Sequence, residues 1–353
     1  MKAFLVIGDS RETRLRPAKP FKTFVEHSTR EAKNKKNLEL KIVSYGDVLS
    51  NRLPAFIGSA VNIILFFPFV YWNRYIEVYN KDQKVYGEKA FGKNYKSFFD
   101  AIEEKIKKAY KGKKIVYFNP PKASLLERDK KRTKSTLKKK GISVPKTYSP
   151  KNINQIKKFV SSGKSLYIKP RFGSLGKGIT YIDKNKFVTN FKFKNGKIIS
   201  HKSDYGWKFR TLKERDRNIF LRHLIRRDFL FEEGIEHPRL KGKKYDFRVH
   251  VIQGKTPYYY AKTVSLKSPI TNWAQGGKIE KKDNLHRFIS RGNAKKVRSL
   301  AVKTAKALNL SYAAVDVVVS KDFKNVYCLE AHSFPGYEKR YDIMKYIAKR
   351  IVK

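Results

Sequence analysis

An aspartate stands inside a run otherwise suited to a buried strand: YAAVDVVVS, from Tyr312 to Ser320. Alanine and β-branched valine on both sides of Asp316 predict a strand inside a sheet. A carboxylate there is costly unless it is paired or binds a cation. The turn KDFKN then sends the chain back through NVYCLEAH, so Glu330 can lie beside Asp316 on the neighbouring strand. Strand residues two apart share a face, so Glu330 and His332 point the same way. Two hard oxygen donors on adjacent strands suit Mg²⁺, which takes one or two carboxylates plus substrate phosphates. A buried ion pair satisfies them equally well. His332 adds a nitrogen, a poorer Mg²⁺ ligand than an amide oxygen and better suited to Mn²⁺ or softer ions. Acting through water, or touching phosphate when protonated, are its other roles.

A chain of 353 residues can bury a large core and divide into two or three domains. Hydrophobic content of 41% and aromatic content of 14% exclude a disordered chain. The single cysteine, Cys328, excludes an internal disulfide, and a reducing, cytoplasmic location is expected. The opening MKAFLVIGDSRETR lacks the shape of a signal peptide. The apolar stretch from Ala55 to Trp72 is interrupted by Gly58, Asn62 and Pro68. It predicts a buried parallel strand, VNIILFFPF, rather than a transmembrane segment. Lys and Arg number 81 against 30 Asp and Glu, a net charge of +51. Such a field attracts polyanions: nucleic acid, an acidic polymer or an anionic membrane surface to which the protein binds peripherally. Lysine is dense nearly everywhere, which also fits a uniformly solvated surface, and aromatics do not interleave with it as in RNA-binding signatures.

The first third alternates strand-like runs (KAFLVIG, ELKIVSYG, NIILFFPF, KKIVYFNPP) with an amphipathic helix, NYKSFFDAIEEKIKKAYKGK. That alternation predicts a small open α/β domain ending near Pro121. LLERDKKRTKSTLKKKG then reads as one helix stopped by Gly141, and the rest as α+β with a last short helix, YDIMKYIAKRI.

Three further stretches carry chemistry. In YIKPRFGSLGKGITYI a strand ends at Lys169 and a glycine-rich loop runs from Gly173 to Gly178. Its N–H groups can close on phosphate oxygens, with Lys169 and Lys177 adding charge. Gly178 after GK excludes a P-loop, and the strand that follows excludes a dinucleotide fingerprint. A phosphate flap or a plain hairpin turn is left. In FLFEEGIEHPRLKGKKYDFRVHV, Glu232 and Glu233 end a strand before Gly234 and Ile235. Carboxylates and backbone there can read an adenine amino group and a ribose hydroxyl. Asp246 and Arg248 share a strand face, with Arg248 able to grip an anion in fork geometry. A solvated acidic turn and a surface ion pair are the plainer readings. In AKTVSLKSPITNWAQGGK, Lys262 lies in a strand and Asn272 precedes a Gly276-Gly277 turn.

These units, in this order, resemble the ATP-grasp superfamily from about Asn119 to Glu338, starting with ERDKKRTKSTLKKKGISVPKTY. KGKKYDFRVHV and TNWAQGG look most like the endospore-coat-associated YheC/YheD-like branch and the RimK-like ribosomal-protein glutamate ligases. The resemblance implies a Rossmann-like, pre-ATP-grasp α/β domain over residues 1–121. An α+β ATP-grasp core over 122–353 follows, with a small subdomain at about 141–232 and a C-terminal one at about 233–353. It implies that Lys130 and Lys169 grip ATP phosphates and that Gly173, Ser174, Gly176 and Lys177 belong to the flap. Glu232, Glu233 and Ile235 would form the adenine hinge, with Glu236 near the ribose. Lys262 would contact the transferred phosphoryl group, Arg248 the acyl-phosphate or acceptor end, and Asn272 the metal or phosphates. Asp316 and Glu330 would hold Mg²⁺. Where the family has Glu-x-Asn, this chain has Glu330-Ala331-His332. The activity implied is ATP-dependent ligation of a carboxylate to an amine through an acyl phosphate, on an acidic polymer or protein acceptor. A phosphotransferase and a non-catalytic polyanion-binding module are the rival readings.

Overall fold

The protein is described by a computed structural model covering residues 1–9, 19–33, 35–77, 85–201, 207–272, 276–280, 282–336 and 341–352. The first region runs β1 (Lys2–Ile7), α1 (Lys19–Lys33), β2 (Leu38–Val43), α2 (Tyr45–Leu49), β3 (Ala60–Leu65), α3 (Phe69–Tyr71) continued by a π turn, α4 (Lys89–Ala109) and β4 (Lys114–Tyr117). Its four strands form a parallel sheet in the order β2-β1-β3-β4. Both faces are buried. Leu5, Val61 and Ile63 pack with Tyr95, Phe99 and Ile102 of α4 on one side. Phe4, Val6 and Ile64 pack with Phe21 and Phe24 of α1 on the other. Burial on both faces is why β3 is apolar apart from Asn62, whose amide donates to the Ala3 carbonyl at 3.1 Å. No helix among the described residues is long and apolar enough to cross a membrane.

The basic segment expected as one helix is two, α5 (Pro121–Arg128) and α6 (Lys130–Lys139). Asp129 breaks it: its ψ of 88° is not helical, and its carboxylate caps α6 by accepting from the Arg132 N–H at 3.2 Å. Arg171 holds that carboxylate from outside with two bonds, of 2.7 and 2.6 Å. The break sets Lys130 at the first position of α6.

A six-stranded antiparallel sheet follows: β5 (Thr147–Tyr148), β6 (Leu166–Lys169), β7 (Thr180–Ile182), β8 (Phe187–Thr189), β11 (Arg210–Thr211) and β12 (Leu230–Glu233), in the order β11-β8-β7-β6-β12-β5. A small hairpin, β9 (Lys192–Lys194) and β10 (Lys197–Ile199), interrupts it. Helices α7 (Ile153–Ser161) and α8 (Glu214–Arg226) pack on it through Ile156, Phe220, Leu221 and Leu224.

The last sheet contains β13 (Arg239–Leu240), β14 (Lys243–Ile252), β15 (Lys255–Ser265), β16 (Lys278–Ile279), β17 (Tyr312–Val319) and β18 (Val326–His332). Its order is β16-β15-β14-β17-β18, with β13 on β14. Odd-numbered residues of β14 and β17, from Tyr245 to Val251 and from Ala313 to Val319, pack with Val297, Leu300 and Ala301 of α9 (Arg291–Ala307). Even-numbered ones face away. One residue is inserted in β18: Asp316 pairs with Glu330 but Val317 with Cys328, which leaves Leu329 as a bulge. The bulge lets Cys328 and Ala331 both enter the core while Glu330 and His332 share the opposite face. Helix α10 (Ile343–Val352) returns to the first region, where Ile343, Ile347 and Ile351 pack with Phe21 and Phe24.

Candidate active site

The even face of the last sheet is ionic. Arg248 lies opposite Asp316, and Asp246 opposite Lys262. Arg248 donates to Asp316 through Nε and one terminal nitrogen, both at 2.8 Å, in fork geometry. The Lys262 ammonium sits 3.0 Å from Asp316 and 3.1 Å from Asp246. Thr271 donates its hydroxyl proton to the other Asp246 oxygen. Burial opposes every one of these charges. Arg248 and Lys262 outweigh it at Asp316, which is held well below the carboxylate range. Asp246 and Asp316 outweigh it at Lys262, which is raised. Asp246 is pushed up, by burial first, because Lys262 does not fully compensate for it.

Glu330 continues the face. Its carboxylate is 3.5 Å from the Lys130 ammonium. Burial pushes it up, but Lys130, Lys169 and His332 bring it down to about 2, so it is ionised at neutral pH. The His332 ring stands among acids: Nε2 is 3.3 Å from Asp316 and 3.7 Å from Glu330, and Nδ1 is 3.8 Å from Glu127.

A pocket opens between this face and the six-stranded sheet. Lys130, Lys169, Gly173, Ser174, Gly176 and Lys177 line it on the flap side. Glu232, Glu233, Ile235, Lys262, Asn272, Asp316 and Glu330 line the remainder. Arg248 and His332 lie behind the wall and hold Asp316. Glu236 is not part of the lining: its carboxylate is 73% exposed and pairs with Lys321 at 3.3 Å. Trp273 to Gln275 of the TNWAQGG motif, and Tyr337 and Glu338, fall outside the described residues.

The glycine-rich loop joins antiparallel β6 and β7. Its base is fixed by buried Asn190, which donates to the Gly176 carbonyl at 2.7 Å and accepts from the Ile179 N–H at 2.8 Å. Gly178 has φ +70°, and a Cβ there would come within 2.6 Å of Pro170 and 2.7 Å of Phe191, so only glycine fits. Lys130 donates to the Gly173 carbonyl at 2.6 Å, which joins α6 to the flap. Lys177 is buried, its ammonium 3.7 Å from Glu77 and 5.1 Å from the centre of the Tyr86 ring.

At the hinge, Glu232 is buried between Lys169 at 2.5 Å and Lys134 at 2.8 Å, which outweigh its burial and hold it below the usual carboxylate value. Its carboxylate therefore orients the lysines, while Glu233 accepts from the Tyr148 hydroxyl at 2.6 Å. The Gly234 N–H donates to the Ser165 carbonyl at 2.8 Å, and a Cβ at Gly234 would collide with the Ser165 side chain. His237 also lines the pocket; burial first, then Lys244, brings its ring down to about 3, so it is neutral.

Two residues of this network were not expected from the sequence. Lys134 donates to the carbonyls of Cys328 and Leu329, at 3.1 and 2.8 Å, and so ties the bulge to Glu232. Glu127, on the last turn of α5, accepts from the Ser333 hydroxyl at 3.0 Å and faces His332. Neither stands out among the charges of a basic helix.

The donor set fits a divalent cation. Asp316, Glu330 and His332 each offer one ligand atom, and the three atoms lie within 4.8 Å of one another. The Lys262 and Lys130 ammonium groups now supply the positive charge these acids require.

Comparison with known proteins identifies the family and the fold. Residues 114–353 match the family described as YheC/D like ATP-grasp. The endospore coat-associated protein YheD of Bacillus subtilis is 24% identical over 209 residues, which are 55% of this chain and 44% of that protein, so the chain matches less than half of the relative's length. Among solved structures, the ATP-grasp ligase PsnB with minimal precursor, Mg and ADP superposes with a TM-score of 0.56 at 13% identity, covering 99% of this chain and 97% of that one. A RiPP-associated ATP-grasp ligase of Chryseobacterium gregarium, with ADP and a leader and core peptide, gives 0.56 at 12% identity over 99% and 96%. The fold is ATP-grasp, and the chain belongs to the YheC/D-like ATP-grasp family.

Proposed function

We propose that the protein is an ATP-dependent ligase that joins a carboxylate to an amine. The observation that carries this is the convergence, in one pocket between two antiparallel sheets, of Lys130, Lys169, a glycine flap and the ionic face that ends at Asp316 and Glu330. Among the described residues the lining holds no cysteine, and its serine and threonine hydroxyls are engaged elsewhere, Ser174 with Tyr86 and Thr271 with Asp246, so catalysis rests on placing groups and neutralising charge.

Lys130 and Lys169 hold the phosphates of ATP, with Gly173, Ser174 and Gly176 closing over them. Glu233 and Ile235 meet the base and ribose, and Glu232 keeps Lys169 charged and aimed. Mg²⁺ on Asp316 and Glu330 would draw charge from the phosphates as they separate. An oxygen of the substrate carboxylate attacks the γ-phosphorus, the bond to the β-phosphate breaks, and ADP leaves. The amine then attacks the acyl carbon, inorganic phosphate departs, and the amine's proton passes to solvent. Lys262 stabilises the negative charge that builds on the transferred group, and Arg248 acts through Asp316, which it holds in place.

The excess of Lys and Arg supports an acidic acceptor, such as a glutamate-rich tail or an anionic polymer. Turnover on such an acceptor falls between low and physiological salt; turnover insensitive to ionic strength removes that part of the reading.

The test incubates the protein with Mg-ATP and pools of amino acids and peptides. ADP and phosphate should form in equal amounts, together with a product of mass equal to both substrates less water. A folded protein that neither binds ATP nor turns it over overturns the assignment.

A further inference from the structure

We propose that His332 is a metal ligand oriented by Glu127, which makes this a mixed oxygen–nitrogen site that favours Mn²⁺ over Mg²⁺; the proposal rests on the nucleotide-site reading above. Two observations point to it. First, His332 Nε2 lies 3.3 Å from Asp316 Oδ2 and 3.7 Å from Glu330 Oε2. Adjacent ligands on an octahedral ion with bonds of about 2.1 Å stand about 3.0 Å apart, and opposite ones about 4.2 Å. Both separations fall between these two values, and one donor atom of each of the three residues lies within 4.8 Å of the others. Second, the far side of the ring meets a buried carboxylate: Glu127 Oε1 is 3.8 Å from Nδ1, and Ser333 holds Glu127 at 3.0 Å. A carboxylate behind an imidazole is the usual support of a metal-bound histidine. At 3.8 Å, longer than a hydrogen bond, Glu127 acts by its charge, favouring the proton on Nδ1 and leaving Nε2 to bind.

A histidine placed only to neutralise Asp316 is the competing explanation. Asp316 already has Arg248 at 2.8 Å and Lys262 at 3.0 Å, and Glu330 has Lys130 at 3.5 Å, so burial of these acids requires no further cation. An imidazole nitrogen adds little to the binding of Mg²⁺, which seeks oxygen, and more to first-row transition ions.

The experiment is pulsed electron paramagnetic resonance of Mn²⁺ bound to the full-length protein with ADP, beside titrations of Mn²⁺ and Mg²⁺. The wild type should show a ¹⁴N coupling that is lost in His332→Asn. That variant should also lose about tenfold or more of the Mn²⁺ over Mg²⁺ preference, and Glu127→Gln part of it. Absence of ¹⁴N coupling in the wild type, or a coupling that persists in His332→Asn, overturns the proposal. The readout involves no acceptor and no turnover, so it stands if the ligase assignment fails. ADP formation with Mg²⁺ in turn stands if the nitrogen ligand is absent.

Discussion

The two faces of the β14-β15-β17-β18 sheet come from the same strands, yet they are different materials. On the odd face Phe247, Val249, Val315 and Val317 are fully buried against α9. On the even face Asp246, Lys262 and Asp316 are nearly as buried, at 2, 6 and 7% exposure, but they pair with one another and with Arg248 as charges, and Thr271 adds a hydroxyl to Asp246. The apolar face supplies stability by removing surface from water. The ionic face contributes little net stability, because desolvation cancels most of the attraction, yet it cannot lose one member without stranding another. The role proposed for the ionic face is therefore chemical rather than structural.

Substitutions on each face separate the two roles. Asp316→Asn should have the largest effect, a loss of about 10²–10³-fold or more in ADP formation. It also leaves Arg248 and Lys262 underpaired, and thermal unfolding should show a loss of about 3 kcal/mol. Lys134→Met comes next. Glu232 would keep only Lys169, and the bulge carbonyls of Cys328 and Leu329 would lose their donor. Denaturant unfolding should give a loss of about 3 kcal/mol, with weaker ATP binding because Lys169 is drawn to Glu232. Val317→Ala on the apolar face should cost about 2 kcal/mol with the ATP affinity of the folded protein unchanged.

The smallest effect lies away from the site. Asp47 caps α2 together with Ser44, and the Ser44 hydrogen bonds, then Arg52, bring its carboxyl down to about 2. A carboxylate depressed in the folded state stabilises above its ordinary pKa near 4, and the contribution fades as pH falls toward 2. Asp47→Ala should therefore lose about 1 kcal/mol at neutral pH and almost nothing near pH 2, with turnover unaltered.

Asp316, Glu330 and His332 were legible in the sequence because a charge in a valine strand contradicts its surroundings, and period-2 alternation assigns a face without knowledge of the fold. The bulge at Leu329 leaves that assignment intact, since it falls before Glu330. Lys134 was not legible: its role depends on a carbonyl pair and a carboxylate 98 or more residues away in sequence, and one lysine in KKRTKSTLKKK looks like the next. The break at Asp129 was hidden in the same way, because Asp is an acceptable helix residue until Arg171 and the Arg132 N–H claim its side chain. Helix α1 went unread because its apolar anchors are few, chiefly Phe21 and Phe24, and their partners on α10 lie more than 300 residues on.

The most direct measurement compares ADP and phosphate release by the wild type, Asp316→Asn and Val317→Ala, each normalised to folded protein. If the ionic face is the catalytic one, Val317→Ala keeps wild-type turnover per folded molecule while Asp316→Asn loses it. Equal losses in both variants, or a folded wild type that neither binds nor cleaves ATP, would contradict the account.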